Sequence, residues 1–270
     1  MTINITNNLV NQVRDLAIRA GEEIMEIFNA GFTVETKADK SPVTEADRRA
    51  EALITNAIRE EITDSFPIVG EEAVAAGNTP DVGGGPFWLV DALDGTREFI
   101  KRRPEFTVNI ALIENTRPVL GVVHAPAFHS SYWGGPLGAF AETDGSRPAA
   151  ISCRRPPAGG LVAFVSKSHK TPEVDEYLKQ FTIKKEISIG SSLKFCRLAA
   201  GQADIYPRFG RTMEWDTAAA HAVLVAAGGR LEKLDGAPLA YAKPGFENPN
   251  FVAFGRPSPI HPAAFSRITQ

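Results

Sequence analysis

The stretch from Trp88 to Phe99 reads WLVDALDGTREF: an apolar run ends, and Asp91 and Asp94 follow three residues apart, ahead of Gly95 and Thr96. A strand that delivers two carboxylates together gives a place to hold a cation. With Asp94 beginning a helix, the backbone N–H groups of Gly95 and Thr96 lie at its positive end, where a phosphate is held. A carboxylate pair beside an anion site is a layout for phosphoryl transfer. The plainer alternative is structural, with Asp94 an N-cap and Asp91 a turn residue. Glu71-Glu72 and Trp215-Asp216 add acidic groups that, taken singly, read as solvated loops or helix caps. Together, oxygen donors from several loops, with no clustered His or Cys, suit Mg²⁺. Thr44-Glu45-Ala46-Asp47 matches a capping box, and its other reading makes Asp47 a base or orienter for a hydroxyl or water.

These residues need elements to aim them. Leu9, Val13, Leu16, Ala20, Ile24 and Ile27 recur at steps of three and four, which predicts a long helix ending near Gly31. Thr44 caps a second helix with an apolar face through Ala50, Ile54, Ala57 and Ile58. From Pro67 the pattern changes to short apolar runs that each stop at a carboxylate, Ile68-Val69-Gly70 before Glu71 and Phe87 to Val90 before Asp91, and both read as strands. Glu105 to Ile113 and Pro118 to His124 alternate as antiparallel neighbours. Turn formers and prolines between Asp144 and Gly160 divide the chain into halves, 1–150 and 151–270. The second half runs strand, helix, strand, with a helix from Asp216 to Ala227 capped by Asp216.

The 270 residues carry 29 Lys and Arg against 32 Asp and Glu, a net charge of −3 that supplies no global field for a polyanion, so a nucleic acid polymer is not an expected partner. No apolar run approaches the ~18 residues of a bilayer span, and an integral membrane protein is excluded on that ground. Two cysteines, Cys153 and Cys196, are too few for a disulfide framework and suit a reducing cytosol. The expected address is cytoplasmic, with peripheral contact with the inner membrane left open.

The ordered set Gly70-Glu71-Glu72, WLVDALDGTREF and Glu214-Trp215-Asp216-Thr217-Ala218-Ala219 resembles the inositol monophosphatase superfamily of Mg²⁺-dependent, lithium-sensitive phosphatases. Ser166-Lys167-Ser168-His169, the run from Gly190 to Cys196 and the run from Gly201 to Arg208 are similar to one branch, the bacterial 3'(2'),5'-bisphosphate nucleotidases of the CysQ type. Two positions depart from the family pattern: Ala92 stands where proline is usual, and Ala220 where glycine is common.

The resemblance implies a layered αβαβα sandwich of mixed α+β and α/β character, with the site between the halves. It implies that Glu71, Asp91, Asp94, Asp216 and the Leu93 carbonyl hold two or three Mg²⁺ ions. Asp47, Thr96 and Glu71 would serve catalysis, with an activated water attacking phosphorus. Gly95, Thr96, Arg97, Ser166, Lys167, Ser168, His169, Ser192, Lys194, Arg208 and Asp216 would contact substrate, a small nucleotide bisphosphate such as adenosine 3',5'-bisphosphate of sulfur metabolism. Within the same chemistry the alternatives are an inositol monophosphatase or a histidinol-phosphate phosphatase. From another class, the alternative is a metal-dependent nucleotide sensor without turnover. Members of the superfamily are monomers or homodimers.

Overall fold

A computed structural model describes residues 3–39 and 41–256; residues 1, 2, 40 and 257–270 of the two halves assigned from sequence lie outside them. The chain opens with α1 (Asn7–Ala30), started by the Thr6 hydroxyl accepting from the Leu9 N–H and closed at Gly31, where φ is +101°. A small hairpin, β1 (Glu35–Thr36) and β2 (Pro42–Val43), leads into α2 (Glu45–Ala57). Then come β3 (Ile68–Gly70), α3 (Glu71–Ala75), β4 (Phe87–Asp94), α4 (Thr96–Ile100), β5 (Thr107–Glu114), β6 (Arg117–Ala125), β7 (Ser130–Gly135), β8 (Gly138–Thr143) and β9 (Ala149–Ala150). Strands β3 to β9 form a seven-stranded sheet in sequence order, antiparallel apart from the parallel β3–β4 pair.

The remainder comprises β10 (Leu161–Ser166), α5 (Pro172–Leu178), β11 (Ile183–Ile189), α6 (Leu193–Ala199), β12 (Ile205–Arg208), α7 (Ala218–Ala226), β13 (Arg230–Lys233) and β14 (Phe251–Phe254). Its strands make a five-stranded sheet in the order β11-β10-β12-β14-β13.

The alternation along β4 shows how the layers stack. Trp88 and Val90 join α1 and α2 in one core, while Phe87 and Leu89 join α6 and α7 in another. Residues of opposite parity thus bury both faces of the first sheet. The outer face of the second sheet, through Leu161, Ala163 and Val165, packs on Val174, Tyr177 and Leu178 of α5. The order is α1/α2, sheet, α6/α7, sheet, α5, the αβαβα sandwich expected from sequence.

Helix α7 is apolar on all sides because it lies between two sheets. It sits close on the first sheet: a Cβ at Gly121 of β6 would overlap the Ala219 carbonyl, and one at Gly134 of β7 would lie 2.9 Å from the Ala222 carbonyl oxygen. No helix among the described residues is long and apolar enough to cross a membrane.

Candidate active site

Strand β4 continues beyond the apolar run and ends at Asp94. Asp91 pairs with Asn109 and Asp94 with Thr107, so three steps on β4 face two on β5. That bulge breaks the alternation and re-aims the last side chains of the strand. The Asp91 Oδ1 accepts from the Leu93 N–H at 3.0 Å, bracing the irregular turn. The plainer of the two sequence readings of Asp94 was an N-cap; Gly95 holds that position instead, with φ +99°. A side chain at Gly95 would also come within 2.9 Å of the Glu105 carbonyl oxygen. Asp94 does not cap because its Oδ2 accepts from the Ser192 N–H of the other half.

Thr96, the first residue of α4, donates its hydroxyl to Asp47 Oδ1 at 3.0 Å and lies 3.2 Å from the Leu93 carbonyl oxygen. Asp47 Oδ2 accepts from the Thr44 N–H at 2.8 Å and from the Thr44 hydroxyl at 2.7 Å. The two oxygens of Asp47 thus have separate partners. One oxygen closes the capping box of α2, and the other orients Thr96.

Because β3 runs parallel to β4 with Gly70 beside Val90, Glu71 emerges next to Asp91. Asp216 arrives from the loop before α7. It was expected to cap that helix, but Thr217 occupies the cap position and Asp216 Oδ2 accepts from the Met213 N–H at 2.8 Å, which folds the loop back on itself. One carboxylate oxygen from each of Glu71, Asp91 and Asp216 lies within 4.8 Å of the others.

Burial pushes the Asp91 carboxyl well above the usual carboxylate range, and repulsion from Glu71, Asp94 and Asp216 adds to it. Asp216 is raised in the same way, by burial and then by Asp94 and Glu71. Asp94 is pushed up to about 6, burial outweighing Lys194 and the Ser192 N–H, and Glu72 to about 7. As four bare anions the cluster is unfavourable, and it gains either by taking protons or by taking a multivalent cation. The donors are all hard oxygens, and three of the carboxylates each commit one oxygen to a backbone N–H that fixes their direction. The set fits a divalent metal ion.

The cluster lines a cleft of about 580 Å³, which has a basic wall of Arg97, Lys170, Lys194, Arg208 and Arg211, with His169 beside them. Lys194 is buried, its Nζ donating to the Ile189 and Ser191 carbonyls, and burial lowers it to about 8. Burial and the nearby cations Arg208, Arg97 and Lys194 lower His169 to about 4. Arg208 is 7% exposed and donates to the carbonyls of His169 (3.3 Å) and Arg211 (3.1 Å). Its Nε finds no acceptor, and among the described residues no carboxylate lies within ion-pair distance of it. Ser192 ties the start of α6 to β5: its hydroxyl donates to Asn109 Oδ1 at 2.7 Å and meets the Thr107 hydroxyl at 2.9 Å.

The sequence profile of the inositol monophosphatase family matches residues 7–264. The chain belongs to this family. It is 44% identical over 247 residues to the 3'(2'),5'-bisphosphate nucleotidase CysQ of Escherichia coli (strain K12), covering 90% of this chain and 98% of the relative. The enzyme of the same name from Buchnera aphidicola is 38% identical, over 93% of this chain and 95% of its own. Among solved structures, CysQ from Bacteroides thetaiotaomicron, a bacterial member of the inositol monophosphatase family, superposes with a TM-score of 0.74 at 36% identity. That match covers 92% of this chain and 98% of the other. An inositol monophosphatase from Zymomonas mobilis reaches a TM-score of 0.75 at 26% identity, covering 94% and 95%.

Of the residues singled out from sequence, Glu71, Asp91, Leu93, Asp94, Gly95, Thr96, Arg97, Ser166, Ser168, His169, Ser192, Lys194, Arg208 and Asp216 line this family member's cleft. Asp47 stands behind Thr96. Ser168 donates to Glu98 Oε1 at 2.5 Å. Lys167 is not part of the lining; its ammonium pairs with Glu105 at 2.6 Å. Two participants went unread. Lys37 sits in the β1–β2 hairpin and its Nζ donates to Glu71 at 2.7 Å and to Glu72. Burial works against that charge, but the two glutamates hold the ammonium above its ordinary range. Glu51 accepts from the Glu72 and Ala73 N–H groups. The chain separations are 34 and 21 residues, and no local pattern announces either contact; only the polar residue on the buried face of α2 offered a signal for Glu51.

Proposed function

We propose that this chain is a Mg²⁺-dependent phosphomonoesterase that removes the 3'-phosphate of adenosine 3',5'-bisphosphate, leaving AMP and phosphate. The observation that carries the reading is the presence of opposite charges in one cleft. The acidic cluster shares it with Arg208, a buried cation whose recorded partners are carbonyls. A monophosphate needs one anion site, whereas a substrate with two phosphates has use for both the metal pole and the arginine. Relatives named 3'(2'),5'-bisphosphate nucleotidase support the same substrate class.

In this reading Glu71, Asp91, Asp94, Asp216 and the Leu93 carbonyl hold two or three Mg²⁺ ions. When bound, these ions neutralise the cluster, polarise the phosphoryl oxygens and make water more acidic. Thr96 gives its own proton to Asp47 Oδ1, so the lone pairs of its Oγ1 are free to accept a proton from the attacking water. The Gly95 and Thr96 amides hold the transferred phosphate. Arg208 takes the second phosphate as a planar double donor, with Arg97 and Lys194 adding positive charge, His169 a neutral imidazole, and Ser166 and Ser168 contacts to the sugar. Two cysteines, both free thiols, support a cytoplasmic location.

A phosphate-release panel with adenosine 3',5'-bisphosphate, inositol 1-phosphate and histidinol phosphate tests the reading. The bisphosphate is expected to be the best substrate, with release requiring Mg²⁺, stopping with chelator and weakening with Li⁺. A preference for inositol 1-phosphate of about tenfold, or about 1.4 kcal/mol in transition-state binding, would overturn the substrate assignment. Metal-dependent nucleotide binding without any release would make the protein a sensor.

A further inference from the structure

Glu51 lies outside the cleft lining and takes no part in the chemistry above, yet it is a buried carboxylate, 6% exposed, on α2. Both oxygens are committed to main chain: Oε2 accepts from the Glu72 N–H at 2.7 Å and Oε1 from the Ala73 N–H at 2.8 Å. These are the two amides that directly follow Glu71. On the other side, Gly70 makes the room. A Cβ there would fall 2.5 Å from Glu51 Cδ and 2.6 Å from Oε1. The backbone before Glu71 is thus shaped to admit the Glu51 carboxylate, and the backbone after it is bonded to that carboxylate.

Burial of a charge beside like charge is unfavourable, and Glu71 does repel Glu51. An apolar residue would pack at position 51 without that cost, but it would leave two amides unpaired and the peptide around Glu71 unanchored. Asp47 lies one helical turn earlier on α2 and therefore on the same face. One rigid element consequently sets both the Thr96 hydroxyl and the turn that carries Glu71.

We propose that Glu51 is a positioning residue that holds Glu71 in register with Asp91, and so sets the affinity of the acidic cluster for its divalent cation. The inference rests on the reading of Glu71 as a cation ligand. Its test uses the full chain and Mn²⁺ as the probe, followed by isothermal titration calorimetry without substrate, in Glu51→Gln, Glu51→Ala and Gly70→Ala. Removing a hydrogen bond to a charged acceptor predicts cation binding weaker by about tenfold in Glu51→Gln, which keeps one acceptor, and by more in Glu51→Ala. Gly70→Ala, which displaces the carboxylate without changing it, is expected to match them. At saturating Mg²⁺ the KM for the bisphosphate should stay within about twofold, because the basic wall is untouched. If Glu51→Ala does not fold, Glu51→Gln and Gly70→Ala carry the test. Parental Mn²⁺ affinity in folded variants, with only a lowered thermal midpoint, would overturn the proposal and leave Glu51 a stabilising residue. Glu71→Gln separates the two levels: if it loses Mn²⁺ while the Glu51 variants keep it, only the positioning role fails. If Glu71→Gln also binds normally, the ligand assignment falls and the positioning role with it.

Discussion

Replacing Asp47 by asparagine changes one charge and one donor while leaving the shape alone, and the neighbours decide which oxygen is lost. Oδ2 receives the Thr44 N–H at 2.8 Å, a donor fixed in the main chain, whereas Oδ1 receives the rotatable Thr96 hydroxyl at 3.0 Å. The asparagine therefore keeps its oxygen on Thr44 and turns its NH₂ toward Thr96. Facing a donor, the Thr96 hydroxyl must accept, and its own proton moves to the Leu93 carbonyl oxygen, 3.2 Å away. One of the two Oγ1 lone pairs is then taken by the asparagine N–H and the anionic partner is gone, so the hydroxyl becomes a weaker and differently aimed acceptor for the proton of the attacking water. Loss of a positioned proton acceptor costs about 10²–10⁴ in rate, so kcat should fall at least about a hundredfold. Stability should hardly move. Weakening a charged acceptor to a neutral one costs about 1 kcal/mol, and removing a carboxylate whose pKa burial has raised offsets part of that. The expected shift in thermal midpoint is below about 4 °C. Asp47→Ala differs because it strips the capping box and leaves the buried Thr44 N–H unpaired, a loss of about 1–3 kcal/mol and about 2–12 °C. Phosphate release at saturating Mg²⁺, paired with thermal unfolding of both variants, reads the two effects separately. An Asp47→Asn protein that keeps kcat within about threefold, with its midpoint unchanged, refutes the proton argument.

Asp94→Asn should abolish turnover and leave the fold intact, because the amide oxygen can still accept from Ser192; near-normal phosphate release would show that Asp94 is no cation ligand. Arg208→Met should lower kcat/KM for adenosine 3',5'-bisphosphate by about 10–100-fold while changing a monophosphate little, and equal losses on both would remove the second-phosphate role. The metal-free protein should lose stability as pH rises. Asp94 has its folded pKa raised from 3.8 to about 6, so between those values the folded state holds a proton the unfolded chain has released and stability declines, and Glu72, raised to about 7, with Asp91 and Asp216, raised in the same direction, carries the decline further. Added Mg²⁺ should flatten the decline, and thermal midpoints from about pH 3 to about pH 7, a range that brackets both pKa values, that rise without metal would contradict the assignment.

What could be read from sequence was local. The step of three and four through Leu9 to Ile27 predicted α1 to its glycine stop, and Thr44 predicted the start of α2, because capping and periodicity are properties of neighbours. The run from Phe87 to Val90 was legible as a strand, with Asp91 and Asp94 read onto the turn after it, whereas β4 runs on through Asp94. The bulge opposite Asn109 was not legible, since register depends on the partner strand. A cap was the plainer reading of Asp94 and the reading of Asp216; the Ser192 N–H, 98 residues away, claims the first carboxylate, and the Met213 N–H, within the same loop, claims the second. Lys37 and Glu51 lay beyond reach, because each acquires its meaning from a contact made after two distant segments are packed.

The seat of α7 has a further consequence. Asp216 is two residues ahead of that helix, and the helix rests where Gly121 and Gly134 offer no side chains. Neither β6 nor β7 lines the cleft. A random library selected for inactive yet well-folded clones should therefore return hits on the face of the first sheet that meets α7, where a single added methyl lifts the helix and drags Asp216 with it.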